Sequence, residues 1–425
     1  MSSSTTRASD PGQRAHDRPV ALHSLIYLDE GAEVTVGRAD VDGYVVLPAE
    51  GAGLLRRLDE GLTPGQAADW YARTYGETVD IDGFLDDLAE LDFLRDPDES
   101  PHAALPVRWQ RLARTVFSPA GAGVLAVALI ASVVAMVRSP ALVPGYHDLF
   151  FTRSMTVLEL VTFLGQFPLI LLHELAHALA GRRLGLRTRL SIDRRMYYVV
   201  FITEMDGLVT VPRRKRYVPM LAGMLTDLLV LAVLILVAAV TRRPDGALSL
   251  ADHVALAFAY MTLLRLAWQF FFYLQTDLYF VIVTVLGCVD LQGTARRVLR
   301  ARLARVRLGR VQLGRARRRL VSPGDLADVH PRDLAVARWY SWLLLVGWTA
   351  SIAILIAGVI PAAGHVLATV SGRFFGSGPH SAADLADSVV FVLLNLAQVA
   401  ALAAFMLRDR NRRLGPRAGR HRTLN

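Results

Sequence analysis

A single cysteine, Cys288, in 425 residues excludes an intrachain disulfide and a cysteine-built zinc cage, so any metal here must be held by histidine or carboxylate. Lysine is nearly absent: Lys215 is the one lysine among 47 basic residues, a bias toward arginine that points to a GC-rich genome rather than to a special mechanism. Charge is scarce, at 20% of the chain against 53% hydrophobic, and the mean hydropathy of +0.35 excludes a purely soluble globular protein. Residues 1–19 hold no apolar stretch that could serve as a signal-peptide core, and their Ser, Thr, Arg and Pro content reads as a disordered lead-in.

What is present divides by charge. The chain as a whole carries +9, yet residues 20–99 hold 19 acids and 5 arginines, a net of −14. This stretch reads as a small soluble α+β domain. Glu33-Val-Thr-Val36 and Tyr44-Val-Val-Leu47 are strand-like around the turn Asp40-Val-Asp-Gly43. Three short helices follow: one after Pro48 with Leu54, Leu55 and Leu58, closed by Gly61; one from Thr63-Pro64 with Ala67, Trp70, Tyr71 and Tyr75; and one capped by Asp80 with Phe84, Leu85, Leu88 and Leu91.

After a linker at 100–120, apolar runs at about 121–137, 155–181, 218–240, 253–288, 339–361 and 385–407 each reach the length a bilayer core demands. The run 253–288 is long enough to be broken or tilted. Bases set the expected orientation: loop 182–217 holds ten, loop 289–338 thirteen and the tail 408–425 seven, whereas 138–154, 241–252 and 362–384 hold two, two and one. Six spans with both termini cytosolic, in a bacterial cytoplasmic membrane, satisfy this pattern. The fold expected is therefore a mainly α membrane protein behind a small α+β domain.

Within the second span stands His173-Glu-Leu-Ala-His177. Histidines four apart share a helix face and can share one Zn²⁺, with Glu174 beside it for general-base work. Ionisable groups inside a membrane span are functional candidates by default; the plainer reading is a helix end whose polar groups snorkel to the cytosol. A hydrolytic zinc site needs a third protein ligand. Glu159, Asp227 and Asp277 fall within apolar spans and Asp290 at a boundary. At about 1.5 Å per residue, His177 and His173 lie roughly 8 and 14 Å from the cytosolic end, Asp227 about 14 Å and Asp277 about 20 Å or less. Glu159 lies near the other end of its span, so depth leaves Asp227 and Asp277.

These residues resemble the site-2 protease family of intramembrane zinc metallopeptidases, in which a later span supplies an aspartate. Gln275-Thr-Asp277-Leu-Tyr279-Phe occupies that position, so the resemblance implies Asp277 as the third ligand. Gln269 stands where the family has an asparagine and keeps an amide, which implies a role in orienting the peptide or steadying an oxyanion. The family's proline and glycine are replaced by Phe272 and Leu278. A Gly-Pro-x-x-Asn pattern of another family span reads Gly223-Met-Leu-Thr-Asp227 here, which implies that Asp227 supports a ligand rather than being one. Met196–Glu204 and Leu208–Val211 around Met205-Asp-Gly207 carry a hairpin signal. The resemblance implies a strand edge for substrate; a hairpin resting on the membrane surface is the alternative.

The acidic domain, with Val45-Val-Leu-Pro-Ala-Glu50, Leu58-Asp-Glu-Gly61 and Phe84-Leu-x-x-Leu88, is similar to the PqqD-like winged-helix fold, which implies recognition of the leader of a ribosomally made, modified peptide. Its charge opposes nucleic-acid binding. Arg296–Arg319 reads as a basic amphipathic helix on the anionic inner leaflet, and Trp339, Tyr340, Trp342 and Trp348 as interfacial anchors. His253, His365 and His380 receive no role.

The function expected is a zinc-dependent membrane endopeptidase that removes the leader of a precursor peptide bound by residues 20–99. Regulated cleavage of a transmembrane regulator, or peptide capture without cleavage in export or immunity, are the alternatives. Neither the substrate nor a partner membrane subunit can be read from the residues.

Overall fold

The computed structural model describes residues 17–29, 33–38, 43–96, 107–195, 198–243, 245–308, 329, 331–361, 364, 367–368, 371–372 and 381–414. The expected turn residues 40–42, most of the lead-in and of the linker, the second half of the basic stretch 296–319, and His365 and His380 lie outside them. The described chain forms two compact units, one from the residues up to Arg108 with Met205–Arg216, the other from Trp109–Glu204 and Tyr217 onward.

In the first unit three strands, β1 (Leu25–Asp29), β2 (Glu33–Arg38) and β3 (Tyr44–Pro48), form an antiparallel sheet in the order β1-β2-β3. Strand β1 is an addition to the expected pair: Leu-Ile-Tyr-Leu-Asp does not alternate in polarity. Helices α1 (Ala49–Asp59), α2 (Pro64–Tyr75) and α3 (Ile81–Glu90) follow as read from the sequence. Thr63 and Gln66 close a capping box on α2, Gly76 ends it in the left-handed region, and Asp80 accepts the Gly83 N–H at the start of α3. Val34, Val36, Val45 and Leu47 from the sheet pack with Leu54, Leu55, Leu58, Leu88 and Phe93 to make the core. Strand β2 is buried on both faces, because Thr210 from the segment 205–216 approaches Gly37 so closely that a Cβ there would meet the Thr210 methyl at 2.6 Å.

The second unit is mostly helical. Among the described residues six helices are long and apolar enough to cross a membrane: α5 (Pro119–Arg138), α6 (Met155–Arg183), α7 (Arg213–Thr241), α8 (Leu250–Trp268), α11 (Pro331–Ile354, with a π-turn continuing it) and α12 (Ala382–Leu414). A short α4 (Gln110–Val116) precedes them. Exposed Val124, Val127, Ile130, Val133 and Val137 leave α5 apolar around its circumference, the composition of a helix solvated by lipid rather than by water.

The run 253–288 is broken, as its length allowed: α8 ends at Trp268, a 3₁₀ turn spans Phe272–Leu274, and a ten-residue α9 (Asp277–Leu286) meets α10 (Leu291–Leu308) at a break, with an 88° bend measured to Leu303. Between Trp268 and Asp277 the chain unwinds without proline or glycine, Gln275 taking the left-handed conformation at φ 56°, whereas Gly287 at φ 69° ends α9 at the second break. The hairpin is formed by β4 (Thr188–Arg195) and β5 (Tyr198–Met205), not by a strand at 208–211. Gly207, at φ 76°, instead opens a 3₁₀ turn at Leu208–Thr210. Finally, the start of α10 is covered by protein, Leu291, Val298 and Leu299 packing on Ala337, Tyr340 and Leu344 of α11, while Leu303 is exposed and the rest of the expected amphipathic stretch lies outside the described side chains. Tyr340 is accordingly buried, its hydroxyl donating to Phe272 O and Gln292 Oε1, and is no interfacial anchor.

Candidate metal centre

Helix α6 carries His173, Glu174 and His177 on a buried stretch, and α7 crosses it at Pro219–Asp227. Two contacts from α7 fix the imidazoles. His177 Nδ1–H donates to the carbonyl of Pro219 at 2.7 Å, and His173 Nδ1–H donates to Asp227 Oδ2 at 2.9 Å. A carbonyl can only accept, so the His177 proton sits on Nδ1; the carboxylate selects the same tautomer for His173. Both Nε2 atoms are thereby left as bare lone pairs.

Those lone pairs converge with a carboxylate. The two Nε2 atoms are 3.2 Å apart, and Asp277 Oδ2 lies 3.2 Å from His177 Nε2 and 3.3 Å from His173 Nε2. Donors bonded at about 2.0 Å to a tetrahedral centre stand about 3.3 Å from one another. His173, His177 and Asp277 are thus the group able to hold a metal ion among the described residues, and they match the set that the resemblance implied. Two imidazole nitrogens and one carboxylate oxygen at this spacing could hold a divalent cation, and the donor set fits Zn²⁺; cobalt or nickel would suit the same atoms.

The backbone around the set is shaped to admit it. Gly223 faces the imidazoles so closely that a Cβ there would lie 2.3 Å from His177 Nε2 and 2.4 Å from His173 Nε2. Asp277 is the first residue of α9, and its otherwise unpaired N–H is accepted by Gln269 Oε1 at 2.9 Å, from the end of α8. Thr276 Oγ1 donates to Gln269 O at 2.6 Å and ties the same turn. Gln269 is therefore placed to orient Asp277, and its amide N–H₂ remains for other contacts.

Asp227 is fully buried and stands behind His173, away from the focus. It accepts Nε–H of Arg265 at 2.9 Å and Nη2–H at 2.6 Å, and Arg265 Nη1 donates to Gln166 Oε1 at 3.0 Å. Arg265 is the one Lys or Arg between 253 and 288, a signal that a search for acidic metal ligands passes over. Thr203 of β5 also went unread: its Oγ1 is 2.8 Å from both the backbone carbonyl and Oε2 of Glu174. Of the other acids considered, Asp290 caps the start of α10 through Gly293 N–H, and Glu159 binds two amides of α12.

Beside the centre opens a cavity of about 990 Å³ lined by His173, Glu174, Gln269 and Asp277, by Val199 and Phe201 of the hairpin, and by apolar side chains of α6 and α12. Its walls are mainly hydrophobic with a few convergent polar groups, the composition of a ligand site. Comparison with protein-family models, with curated proteins and with solved structures finds no match to the chain.

Proposed function

We propose that this chain is a zinc-dependent endopeptidase of a bacterial cytoplasmic membrane, with both termini in the cytosol, that removes the leader from a ribosomally synthesised precursor peptide. The observation that carries the reading is the convergence of two bare imidazole nitrogens and one carboxylate oxygen within 3.3 Å, beside a buried glutamate, on helices of membrane length. A divalent cation bound by His173, His177 and Asp277 supplies Lewis-acid polarisation of the scissile carbonyl.

The chain's own residues then have distinct tasks. Glu174 takes the proton of the attacking water and delivers it to the leaving amine, the two roles asked of a single general acid–base group. Thr203 holds that carboxylate, so the hairpin that lines the cavity also positions the base. Gln269, with Oε1 committed to Asp277, keeps its amide N–H₂ to meet a peptide carbonyl or a developing oxyanion. Residues 20–99 hold the leader: β1 and β3 each have one edge without a strand partner among the described residues, and an extended peptide adds to such an edge through its main chain. Tethering the leader raises the local concentration of the cleavage segment at the membrane site.

The test is cleavage, in detergent or liposomes, of the precursor peptide encoded nearest this gene. Wild type is expected to cut it and to be stopped by a zinc chelator; Glu174→Gln is expected to be inert. Binding of the peptide by residues 20–99 with no cleavage by either protein would overturn the peptidase reading in favour of capture alone.

A further inference from the structure

Fourteen residues before His173 on α6, a rise of about 21 Å, Glu159 lines the same cavity. Gln398 Nε2–H donates to its Oε1 at 2.6 Å and Asn395 Nδ2–H to its Oε2 at 3.1 Å. Both oxygens act as acceptors, the pattern of a carboxylate, and both donors come from one face of α12. The donors are neutral, so the negative charge is solvated but not balanced. No basic side chain pairs with Glu159 among the described residues. Of the carboxylates lining the cavity, Glu174 and Asp277 belong to the histidine site, and the one base there, Arg265, is committed to Asp227 and Gln166. Phe163, Phe167, Val399 and Leu402 give the same cavity apolar wall. Glu159 is half-buried in the second turn of α6, inside the apolar run, where a positive partner would be favourable.

We propose that Glu159 is the anchor for a cationic group of the peptide substrate, a Lys or Arg side chain or a free amino terminus. The cavity then selects peptides that carry the cation about six residues of extended chain from the bond at the histidine site. Asn395 and Gln398 each donate to one carboxylate oxygen, which leaves further lone pairs to accept from the incoming N–H groups. This rests on the peptidase reading for what occupies the cavity, so binding and cleavage are read separately.

The experiment uses the full-length protein with zinc in nanodiscs, empty nanodiscs as blank, and fluorescein-labelled Leu/Ala peptides that carry one Lys or, at the same place, one norleucine of equal length. By anisotropy, wild type is expected to bind the Lys peptide about tenfold or more tightly than the norleucine peptide. Glu159→Gln is expected to lose the preference, and Glu159→Lys to prefer the corresponding Glu peptide, which also shows that the variant folds. Equal binding of the Lys and norleucine peptides by wild type, no binding of any peptide, or a preference unchanged in Glu159→Gln overturns the anchor. Mass spectrometry of the same samples separates the two ideas: a Lys preference without cleavage supports the anchor and counts against the peptidase reading, whereas cleavage without preference does the reverse.

Discussion

Arg265 grips both oxygens of Asp227, with Nε and Nη2 at 2.9 and 2.6 Å, while Asp227 accepts the Nδ1 proton of His173. The chain from guanidinium to carboxylate to imidazole sets the tautomer that leaves His173 Nε2 free. With Glu174, Asp227 and Asp277 ionised, a divalent cation held at the focus together with Arg265 would balance their three negative charges. Asp227→Asn and Arg265→Gln are each expected to weaken zinc binding about 10- to 100-fold. The double variant, which leaves no unpaired buried charge, is expected to lose less than the two single losses combined. Zinc retained against a competing chelator measures all three, and wild-type retention by Arg265→Gln would remove the arginine from the account.

Gly223 offers the sharpest steric test. A methyl group there would overlap the Nε2 atoms of both histidines, on a rigid helix that cannot give way locally. Gly223→Ala is expected to lose zinc and cleavage while the protein still purifies as a folded species. Gly123→Ala on α5 is the control, since nothing lies within 4 Å of its added Cβ. That variant is expected to keep zinc and to gain about 0.5–1 kcal/mol of helix stability. Thermal unfolding and metal content of the pair separate a local clash from a general intolerance of substitution.

The sequence announced the parts of the centre that are local and concealed those made by crossing helices. His173 and His177 are legible because one helix turn brings them together, and Asp277 because a family resemblance pointed to it, depth alone leaving Asp227 equally open. Nothing in the chain order announces that Pro219 offers a carbonyl to His177, or that Arg265 meets Asp227 across 38 residues. The same limit explains the fold. Helices α1 to α3 follow from caps and apolar spacing, but the break after Trp268 is made by Gln275 in a left-handed conformation, a residue type with no reputation for it. Asp206-Gly207 has the signature of a turn between strands, whereas here it follows the end of β5 and opens the 3₁₀ turn at Leu208–Thr210.

Thr203 is the prediction that links the hairpin to chemistry. Its hydroxyl lies 2.8 Å from Glu174 Oε2 and from the Glu174 carbonyl, so its loss frees the carboxylate without touching a zinc donor. Thr203→Val, nearly isosteric, is expected to lower kcat about tenfold or more with zinc content and KM close to wild type. Thr203→Ser is expected to restore most of the rate. A structural role for the hydroxyl would instead lower KM-dependent and KM-independent steps together and would not be rescued by serine.

In the amino-terminal unit, Tyr27 and Asp59 share a hydrogen bond, the phenol donating to Oδ2 at 3.3 Å, with Arg56 over the Tyr27 ring. Burial, reinforced by the Asp59 carboxylate, holds the Tyr27 phenol above its ordinary 10 in the folded unit. The folded state therefore keeps this proton more tightly than the unfolded chain does. The sign follows: the stability is intact below pH 10 and is lost as pH rises above 10, where the unfolded chain releases the proton first. Tyr71, also lifted by burial, acts in the same direction. Tyr27→Phe is expected to cost less than about 1 kcal/mol at neutral pH, since the bond it removes is exposed and long. It is expected to lessen the alkaline loss. Proteolysis of the full-length protein between pH 8 and 11, with cuts mapped to residues 17–96, reads the difference; an alkaline transition identical in wild type and Tyr27→Phe would show that the phenol is not held as the geometry requires.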